Sequence, residues 1–407
     1  MPSSAGRILT SHAGSLPRPE DLIEANRQRA AGGFAHEDRY QAELGAAVAD
    51  VVARQRAAGI DLVNDGEYGH SMGHRYDFGP WWTYVFQRLG GLELVKAGLM
   101  GIRHAQAEPG EVVLGSFDDR RDWLEFSEAY GDPSSGAALP NRESRGSAPV
   151  CRGPITYRGG DAVRADIERF RAALDAAGIA DGFMNAVAPG SASRFGNEFY
   201  DSDEELLYAC ADAMREEYQA IIDAGLFLQL DDPAIAENWD QINPAPTVEA
   251  YKRFTMIRVD ALNYAIRGLP TERIRFHLCW GSWHGPHTTD IPMADIIDVL
   301  LAINASAYSF EAANVRHEHE WKVWQDVKLP EGKVILPGVV SHSTNVVEHP
   351  ELVADRIVRF ARAVGRENVV ASTDCGLGGR VHPQIAWAKL GTLAAGAEIA
   401  TSRLWPR

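Results

Sequence analysis

The repeated alternation of short β-rich runs with long helical stretches is the feature that most constrains the fold. Each run ends in polar or Gly residues, and this alternation is typical of parallel βαβ units. Eight such units close a TIM barrel, whose functional face lies at the C-terminal ends of the strands. The sequence therefore predicts an α/β protein with a TIM (β/α)8 barrel. The predicted strands are 8–14, 62–67, 183–190, 226–232, 275–280, 307–312, 333–340 and 369–376.

Residues 70–160 do not follow this alternation. They include 132-DPSSGAALP-140, which is rich in Gly, Ser and Pro, and a further possible strand within 150–160. We interpret residues 70–160 as an insertion after the second barrel strand of a single domain that covers 1–407. A connection this long in a barrel more often has a function than serves only to link two elements.

Composition and charge narrow the function classes. The 407 residues, 45% hydrophobic and 24% charged, have the profile of a soluble enzyme with ample core-forming material. A formal net charge of −16 argues against nucleic acid and anionic membranes as partners, because both repel an acidic surface. No apolar run approaches the roughly 20 residues of a membrane span, and MPSSAGRILTSHAG lacks the apolar core of a signal peptide. We therefore expect a cytoplasmic protein.

Four residues at the predicted strand ends form a candidate metal site. His277 and Cys279 point to the same side of their strand, because side chains alternate along a strand. Glu311 follows the next strand and Cys375 follows the last, so all four converge if the first two face inward. Nitrogen, sulfur and oxygen ligands of this kind suit tetrahedral zinc. The alternative is that they are ordinary core residues, since H-x-C is a weak motif. The residues alone leave both interpretations open.

Acidic residues close two other predicted strands. Asp65 and Glu67 end the second strand, and Asp231 and Asp232 end the fourth. Carboxylates at these positions indicate catalysis or cation binding, or else one of each pair caps the following helix. After the first strand, the stretch 14-GSLP-17 either offers backbone N–H groups to a carboxylate or is only a tight turn.

Tryptophans are frequent near the predicted functional face. Trp81, Trp82, Trp280 and Trp283 either line a pocket for a flat or apolar compound or pack in the core, where Trp is usually found.

Taken together and in this order, these motifs resemble the catalytic barrel of cobalamin-independent methionine synthase. The likeness runs over most of the chain, and seven motifs in register are highly specific for that superfamily. The matching motifs are G-S-L-P at 14–17, D-G-E at 65–67, L-D-D-P-A at 230–234, H-L-C at 277–279, Glu311, G-V-V-S-H-S at 338–343 and T-D-C-G-L at 373–377.

The resemblance implies a zinc cofactor held by His277, Cys279, Glu311 and Cys375. A free thiol has a pKa near ~8.5, whereas a thiol bound to Zn²⁺ loses its proton. The implied reaction is therefore methyl transfer to a thiol, homocysteine, that zinc keeps as a thiolate, with methionine as the product.

The resemblance also implies how homocysteine is bound. Glu67 and Asp231 match the positions that hold its ammonium group, and Gly14 and Ser15 match the backbone that receives its carboxylate. His342 matches a histidine that assists proton transfer, a task suited to an ordinary imidazole pKa near neutrality. We take Asp231 and His342 as the catalytic candidates. His284 and His287 have no counterpart, and we interpret them as residues of an accessible loop or lid.

The alkyl donor is not specified by these motifs. The family's pterin-stacking tryptophan has no equivalent in 188-APGSASRFGNEF-199, so a methylated folate, a methyl-corrinoid protein and other methyl compounds all remain as donors. One alternative is transfer of another alkyl group to a small anionic thiol, as in epoxyalkane:coenzyme M transferase, with Arg18 or Arg380 as the anion site. Another is a metal-free barrel similar to uroporphyrinogen decarboxylase. The expected partners are small molecules, with a methyl-donor protein or a second copy of the chain as further options.

Overall fold

The computed structural model describes residues 1–30, 37–77, 79–96, 112–115, 119–137 and 147–406. Eight of its strands fall within the eight predicted runs or begin one residue before them. The strands of the described residues are, in chain order, β1 (Leu9–Thr10), β2 (Val63–Asn64), β3 (Leu89–Lys96), β4 (Ser147–Tyr157), β5 (Gly182–Val187), β6 (Gly196–Asn197), β7 (Phe227–Asp231), β8 (Ile274–Leu278), β9 (Ala307–Phe310), β10 (Val334–Val340) and β11 (Val370–Thr373).

The eight predicted strands form one curled parallel sheet. Its order is β1-β11-β10-β9-β8-β7-β5-β2, and every neighbouring pair is parallel. The first and last strands of this order approach each other, because the backbone N–H groups of Asp61 and Leu62 donate to Thr10 O at 3.2 and 3.0 Å. The predicted α/β fold of TIM-barrel type is therefore confirmed.

Helices follow the strands and cover the outside of the sheet. The α-helices of the described residues are α1 (Glu20–Ala30), α2 (Glu37–Ala57), α3 (Pro80–Thr83), α4 (Val85–Arg88), α5 (Arg121–Glu125), α6 (Ser127–Gly131), α7 (Gly160–Ala177), α8 (Pro189–Ala192), α9 (Asp203–Asp223), α10 (Ala234–Gln241), α11 (Val248–Ala265), α12 (Met293–Leu301), α13 (Val323–Asp326), α14 (Pro350–Val364) and α15 (Pro383–Leu404). Short 3-10 helices span Thr271–Arg273, Glu318–Lys322 and Arg366–Asn368.

Local sequence signals explain where the long helices begin. The Ser202 side chain accepts a hydrogen bond from Glu205 N at 3.1 Å and caps α9, and the Thr247 side chain caps α11 in the same way. Pro350 occupies the first turn of α14, where its missing N–H group costs nothing. None of the helices in the described ranges is long and apolar enough to cross a bilayer.

A second, smaller sheet combines β3 and β4, which lie between β2 and β5, with β6, which follows β5. Strand β3 pairs antiparallel with β4, and the short β6 joins β4 in parallel. The extra strand expected within 150–160 is therefore present, as part of β4. Of the stretch 132–140, residues 138–140 lie outside the described residues. The division of the chain into a single domain stays a prediction.

The barrel strands separate an apolar outer layer from a polar interior. Along β7, Leu228 and Leu230 are fully buried against the helices, whereas the alternate residues Gln229 and Asp231 bond to each other inside the barrel. On β8, Arg275 also lies inside, where its guanidinium donates to Ser11 Oγ and His12 O at 2.9 Å each. Buried polar groups are costly without hydrogen bonds, so these bonds stabilise the interior that underlies the functional face.

Asp61 lies where β1 and β2 meet, so its ionisation affects the free energy of unfolding. Its carboxylate accepts from Thr10 N at 3.0 Å and pairs with Arg7 at 2.7 Å. Burial alone would raise the pKa of Asp61, but the bonds from Arg7 and Thr10 hold it below its ordinary value. A carboxyl with a depressed folded pKa stabilises the protein above its unfolded pKa, and this contribution is lost as pH falls through the folded pKa.

We therefore expect Asp61→Asn to lower the free energy of unfolding at pH 7 and to flatten its fall below about pH 4. Urea unfolding of both proteins at several pH values measures this difference. Asp50→Asn, at an exposed position of α2, is the matched control and should keep the acid dependence of the unaltered protein. Parallel acid curves for the unaltered protein and Asp61→Asn would contradict the assignment.

Candidate active site

A cavity opens at the C-terminal ends of the barrel strands. Its internal volume is about 100 Å³, and it is open to solvent. One part of the lining is polar and contains most of the predicted site residues, and another part is made of indole rings. The polar part includes Ser15, Glu67, Asp231, His277, Cys279, Cys375 and Arg380, and the aromatic part Trp81, Trp82, Trp123 and Trp283.

Three of the four predicted metal ligands converge in this cavity. The ligand atoms of His277, Cys279 and Cys375 all lie within 4.8 Å of one another. Ser309 Oγ lies 3.0 Å from His277 Nδ1, which leaves Nε2 as the ligand atom. Nε2 is buried and has no hydrogen-bond partner in the part of the chain that the structure describes. A buried nitrogen without a partner beside two thiols fits a metal ion of the zinc type.

The two cysteines form an asymmetric pair. The pKa of Cys375 lies well below its ordinary value because it accepts a hydrogen bond from Cys279 and lies beside His277. The pKa of Cys279 is raised by the same hydrogen bond and by burial. Metal ligation requires thiolates, and the lowered pKa of Cys375 favours the thiolate form in one of the two cysteines.

Glu311 lies outside this group of three. Its ligand atom groups instead with those of His342 and Asp374, again within 4.8 Å. Both of its oxygens are occupied, since Oε1 accepts from Trp280 N at 2.8 Å and Oε2 from Asn314 Nδ2 at 2.6 Å. Burial raises the pKa of Glu311 to about 8. Its role as the fourth ligand stays a prediction.

His342 is more deeply buried than its predicted role requires. Its side chain is 2% exposed, and burial lowers its pKa to about 3. The imidazole is therefore neutral at pH 7, and the ordinary pKa on which the sequence argument relied does not hold in this environment. Its part in proton transfer stays a prediction.

Glu67 and Asp231 are two buried carboxylates on the cavity wall. Glu67 has a φ of 59°, which is uncommon outside glycine and is typical of functional sites. Its Oε2 is buried and makes no hydrogen bond to any residue in the described ranges. Burial and the charge of Asp231 raise the pKa of Glu67, and burial raises that of Asp231 to about 6. A cation bound between them would relieve both effects.

The other acidic residue of each pair supports the wall instead of lining it. Asp65 Oδ1 accepts from Glu67 N at 2.9 Å, and Asp232 Oδ1 accepts from Ser191 Oγ at 2.7 Å. The bond of Asp65 lies within the turn after β2 and that of Asp232 joins two side chains, so neither is a helix cap.

The Gly14–Ser15 turn contacts both Glu67 and the loop after β11. Ser15 O accepts from Leu377 N and Gly378 N at 2.9 Å each. Gly14 has a φ of 131°, and a Cβ at this position would overlap Glu67 Oε1 and the Asn185 amide. Only glycine allows this close approach.

The tryptophans divide between the cavity and the core. Trp81, Trp82 and Trp283 line the cavity, whereas Trp280 packs in the core, where its Nε1 donates to Ile291 O at 2.7 Å. Trp123, on α5, also lines the cavity and was not among the predicted residues. Nothing in its local sequence separates it from a packing tryptophan, because its position depends on how residues 119–137 fold against the barrel.

The loop after β8 supports the cavity rim. His287 stacks on Trp283 with ring centroids 4.2 Å apart and pairs with Asp290, and His284 Nε2 lies 3.3 Å from His342 O. Neither histidine belongs to a group of three candidate ligands among the described residues, and their interpretation as residues of an accessible loop or lid stays a prediction.

The two arginines proposed for an anionic thiol differ in position. Arg380 lines the cavity, but Arg18 is buried and bonds to the carbonyl groups of Glu67 and His70. Arg18 is therefore a support of the turn that carries Glu67, and it does not line the cavity.

A family model described as the catalytic domain of cobalamin-independent synthase matches residues 141–398. The chain belongs to the cobalamin-independent methionine synthase family. The match runs from before β4 into α15, and it includes the strand ends that carry Asp231, His277, Cys279 and Cys375.

Curated relatives of the family are similar at low identity. A methionine synthase of Thermococcus kodakarensis is 27% identical over 209 residues, which is 51% of this chain and 54% of the relative. A 5-methyltetrahydropteroyltriglutamate–homocysteine methyltransferase of Vibrio harveyi is 23% identical over 91% of this chain and 40% of the relative. The chain thus spans about half the length of these relatives or less. The uncharacterised protein YxjH of Bacillus subtilis is 23% identical over 93% of this chain and 91% of its own.

A solved structure supports the fold. A B12-independent methionine synthase from Shewanella sp. W3-18-1, in complex with selenomethionine, superposes with a TM-score of 0.69 at 21% identity. The superposition covers 98% of this chain and 99% of that one, so the family fold extends over the whole barrel.

Because the chain packs so closely at Gly14, we expect that adding a single methyl group there lowers the stability of the protein. Gly14→Ala should destabilise the protein by about 1–3 kcal/mol, because the new Cβ overlaps buried groups and the backbone is left-handed. Gly45→Ala, on α2 where nothing lies within 4 Å of the new Cβ, should instead stabilise it by up to about 1 kcal/mol. Urea unfolding measures both changes, and equal effects would contradict the geometry described for Gly14.

Proposed function

We propose that this chain transfers a methyl group to the thiol of homocysteine and so produces methionine, with zinc as its cofactor. The observation that carries the proposal is the convergence of His277, Cys279 and Cys375 beside the carboxylates Glu67 and Asp231. The first three supply the ligands of a soft divalent cation, and the other two suit the ammonium group of an amino-acid thiol.

The residues of the chain prepare the metal side of the reaction. His277, Cys279 and Cys375 would hold the ion, with Glu311 as the fourth ligand. Zinc, when bound, lowers the pKa of a coordinated thiol, so that the substrate sulfur is a nucleophile at neutral pH. Ser309 keeps the His277 ring in one orientation, in the manner of the outer-shell partners of other metal sites.

Homocysteine would lie between the metal and the carboxylates. Its ammonium group faces Glu67 and Asp231, whose negative charges burial otherwise penalises. Its carboxylate faces the Gly14–Ser15 turn. The methyl donor binds against the tryptophan-lined wall, which brings the methyl carbon toward the sulfur and keeps water from the reacting atoms. The cytoplasmic location and the oligomeric state stay predictions.

Metal analysis tests the proposal directly. We expect about one zinc per chain in the purified protein and loss of most of it in Cys375→Ser. Cys151→Ser is the matched control, because this buried cysteine lies on β4 and its sulfur bonds to Gly153 O. That variant should retain its zinc.

X-ray absorption of the zinc form then tests the substrate. Homocysteine should add one sulfur to the metal coordination. Zinc without the additional sulfur would exclude homocysteine as the thiol, and a protein that binds no zinc would overturn the proposed function.

A further inference from the structure

We propose that Asn64, Asn185 and Gln229, named the amide chain below, are positioning residues that hold the amino-acid end of the cavity in one geometry. The inference rests on the proposed function, because the groups that the amide chain orients are those assigned to homocysteine. Asn64 and Gln229 have no exposed surface and Asn185 is 6% exposed, so bulk water does not compete for their bonds.

Two of the three amides bridge the same pair of acceptors. Asn185 Nδ2 donates to Asp231 Oδ2 at 2.9 Å and to Ala13 O at 3.1 Å. Gln229 Nε2 donates to Asp231 Oδ1 at 2.7 Å and to Ala13 O at 2.6 Å. Each oxygen of the Asp231 carboxylate thus has its own amide donor, and the carboxylate plane is defined relative to the backbone that precedes Gly14.

The third amide extends the chain to the turn that carries Glu67. Asn64 Nδ2 donates to Asn185 Oδ1 at 3.3 Å, and Asn64 Oδ1 accepts from Gly66 N at 2.8 Å. The bond from Asn64 also determines which end of the Asn185 amide faces Asp231. One hydrogen-bonded chain therefore connects the Glu67 turn, the Asp231 carboxylate and the Gly14–Ser15 turn.

Electrostatics explains why these parts need positioning. Glu67 and Asp231 are both buried, and their negative charges repel each other until an ammonium group lies between them. Without donors on both oxygens, Asp231 would rotate or move away from Glu67. Returning it to its position would cost free energy, and the amino acid would bind more weakly. The amide chain supplies uncharged donors, so it restrains the carboxylate without neutralising it.

Removing one amide tests this role. Gln229→Met keeps the length of the side chain and removes both N–H donors. We expect the Kd of the zinc-loaded protein for L-homocysteine, measured by calorimetry, to rise at least about tenfold, because the bonds lost are to a charged group. The Kd for 2-mercaptoethanol, which has neither an ammonium nor a carboxylate group, should not change, and the zinc content should stay the same.

The control is Gln241→Met, which removes an equally buried glutamine whose side chain bonds to Gly115 O and Arg194. It should leave the ratio of the two Kd values unchanged. Should Gln229→Met fail to fold, Asn185→Leu removes the other donor and gives the same test.

Three results would count against the inference. An unchanged Kd for homocysteine in the folded variant, or an equal loss for both thiols, would overturn it while leaving the proposed function intact. Failure of the unaltered protein to bind homocysteine at all would overturn the proposed function and this inference together.

Discussion

All eight strands of the curled sheet run in parallel, and the rest of the site depends on this constraint. Parallel strands end at the same rim, so residues far apart in the chain meet there. Asp231 and His277 are register partners on β7 and β8, and His277 and Ser309 are partners on β8 and β9. The spacing between neighbouring strands thus places a carboxylate, an imidazole and a hydroxyl side by side.

The cost of this arrangement is the burial of polar and charged groups in the barrel. Glu67, Asp231 and Arg275 all have very little exposed surface. Asp231 receives two amide donors, and Arg275 donates to a hydroxyl and a carbonyl oxygen and stacks on Phe183. Glu67 Oε2 has no hydrogen-bond partner among the described residues, and neither do Gln229 Oε1 and Arg275 Nε. The site is therefore polar and not fully hydrogen-bonded, and two of its unpaired atoms, Glu67 Oε2 and His277 Nε2, belong to residues assigned to the substrate and the metal of the proposed reaction.

Much of the site was predictable because strand periodicity and strand ends are local signals. The runs that became β7, β8 and β11 were recognised from their β-branched and aromatic residues and their polar ends, and these runs carry or directly precede Asp231, His277, Cys279 and Cys375. Asn185 and Gln229 were not recognised, because an amide within a strand carries no sign of what it bonds to. The burial of His342, which lowers its pKa, was not visible in the sequence either, because it depends on neighbours from other parts of the chain.

The sequence by itself determined the α/β class, the positions of the eight barrel strands along the chain and the residue types at their ends, because each depends on patterns within a few residues. Tertiary structure alone decided which carboxylate of each pair faces the cavity, which tryptophans form its wall, and that Glu311 lies beside the group of His277, Cys279 and Cys375 instead of within it. These outcomes depend on contacts between residues tens to hundreds of positions apart. Local patterns do not distinguish these side-chain arrangements. Packing and electrostatic interactions between distant parts of the chain determine which one forms.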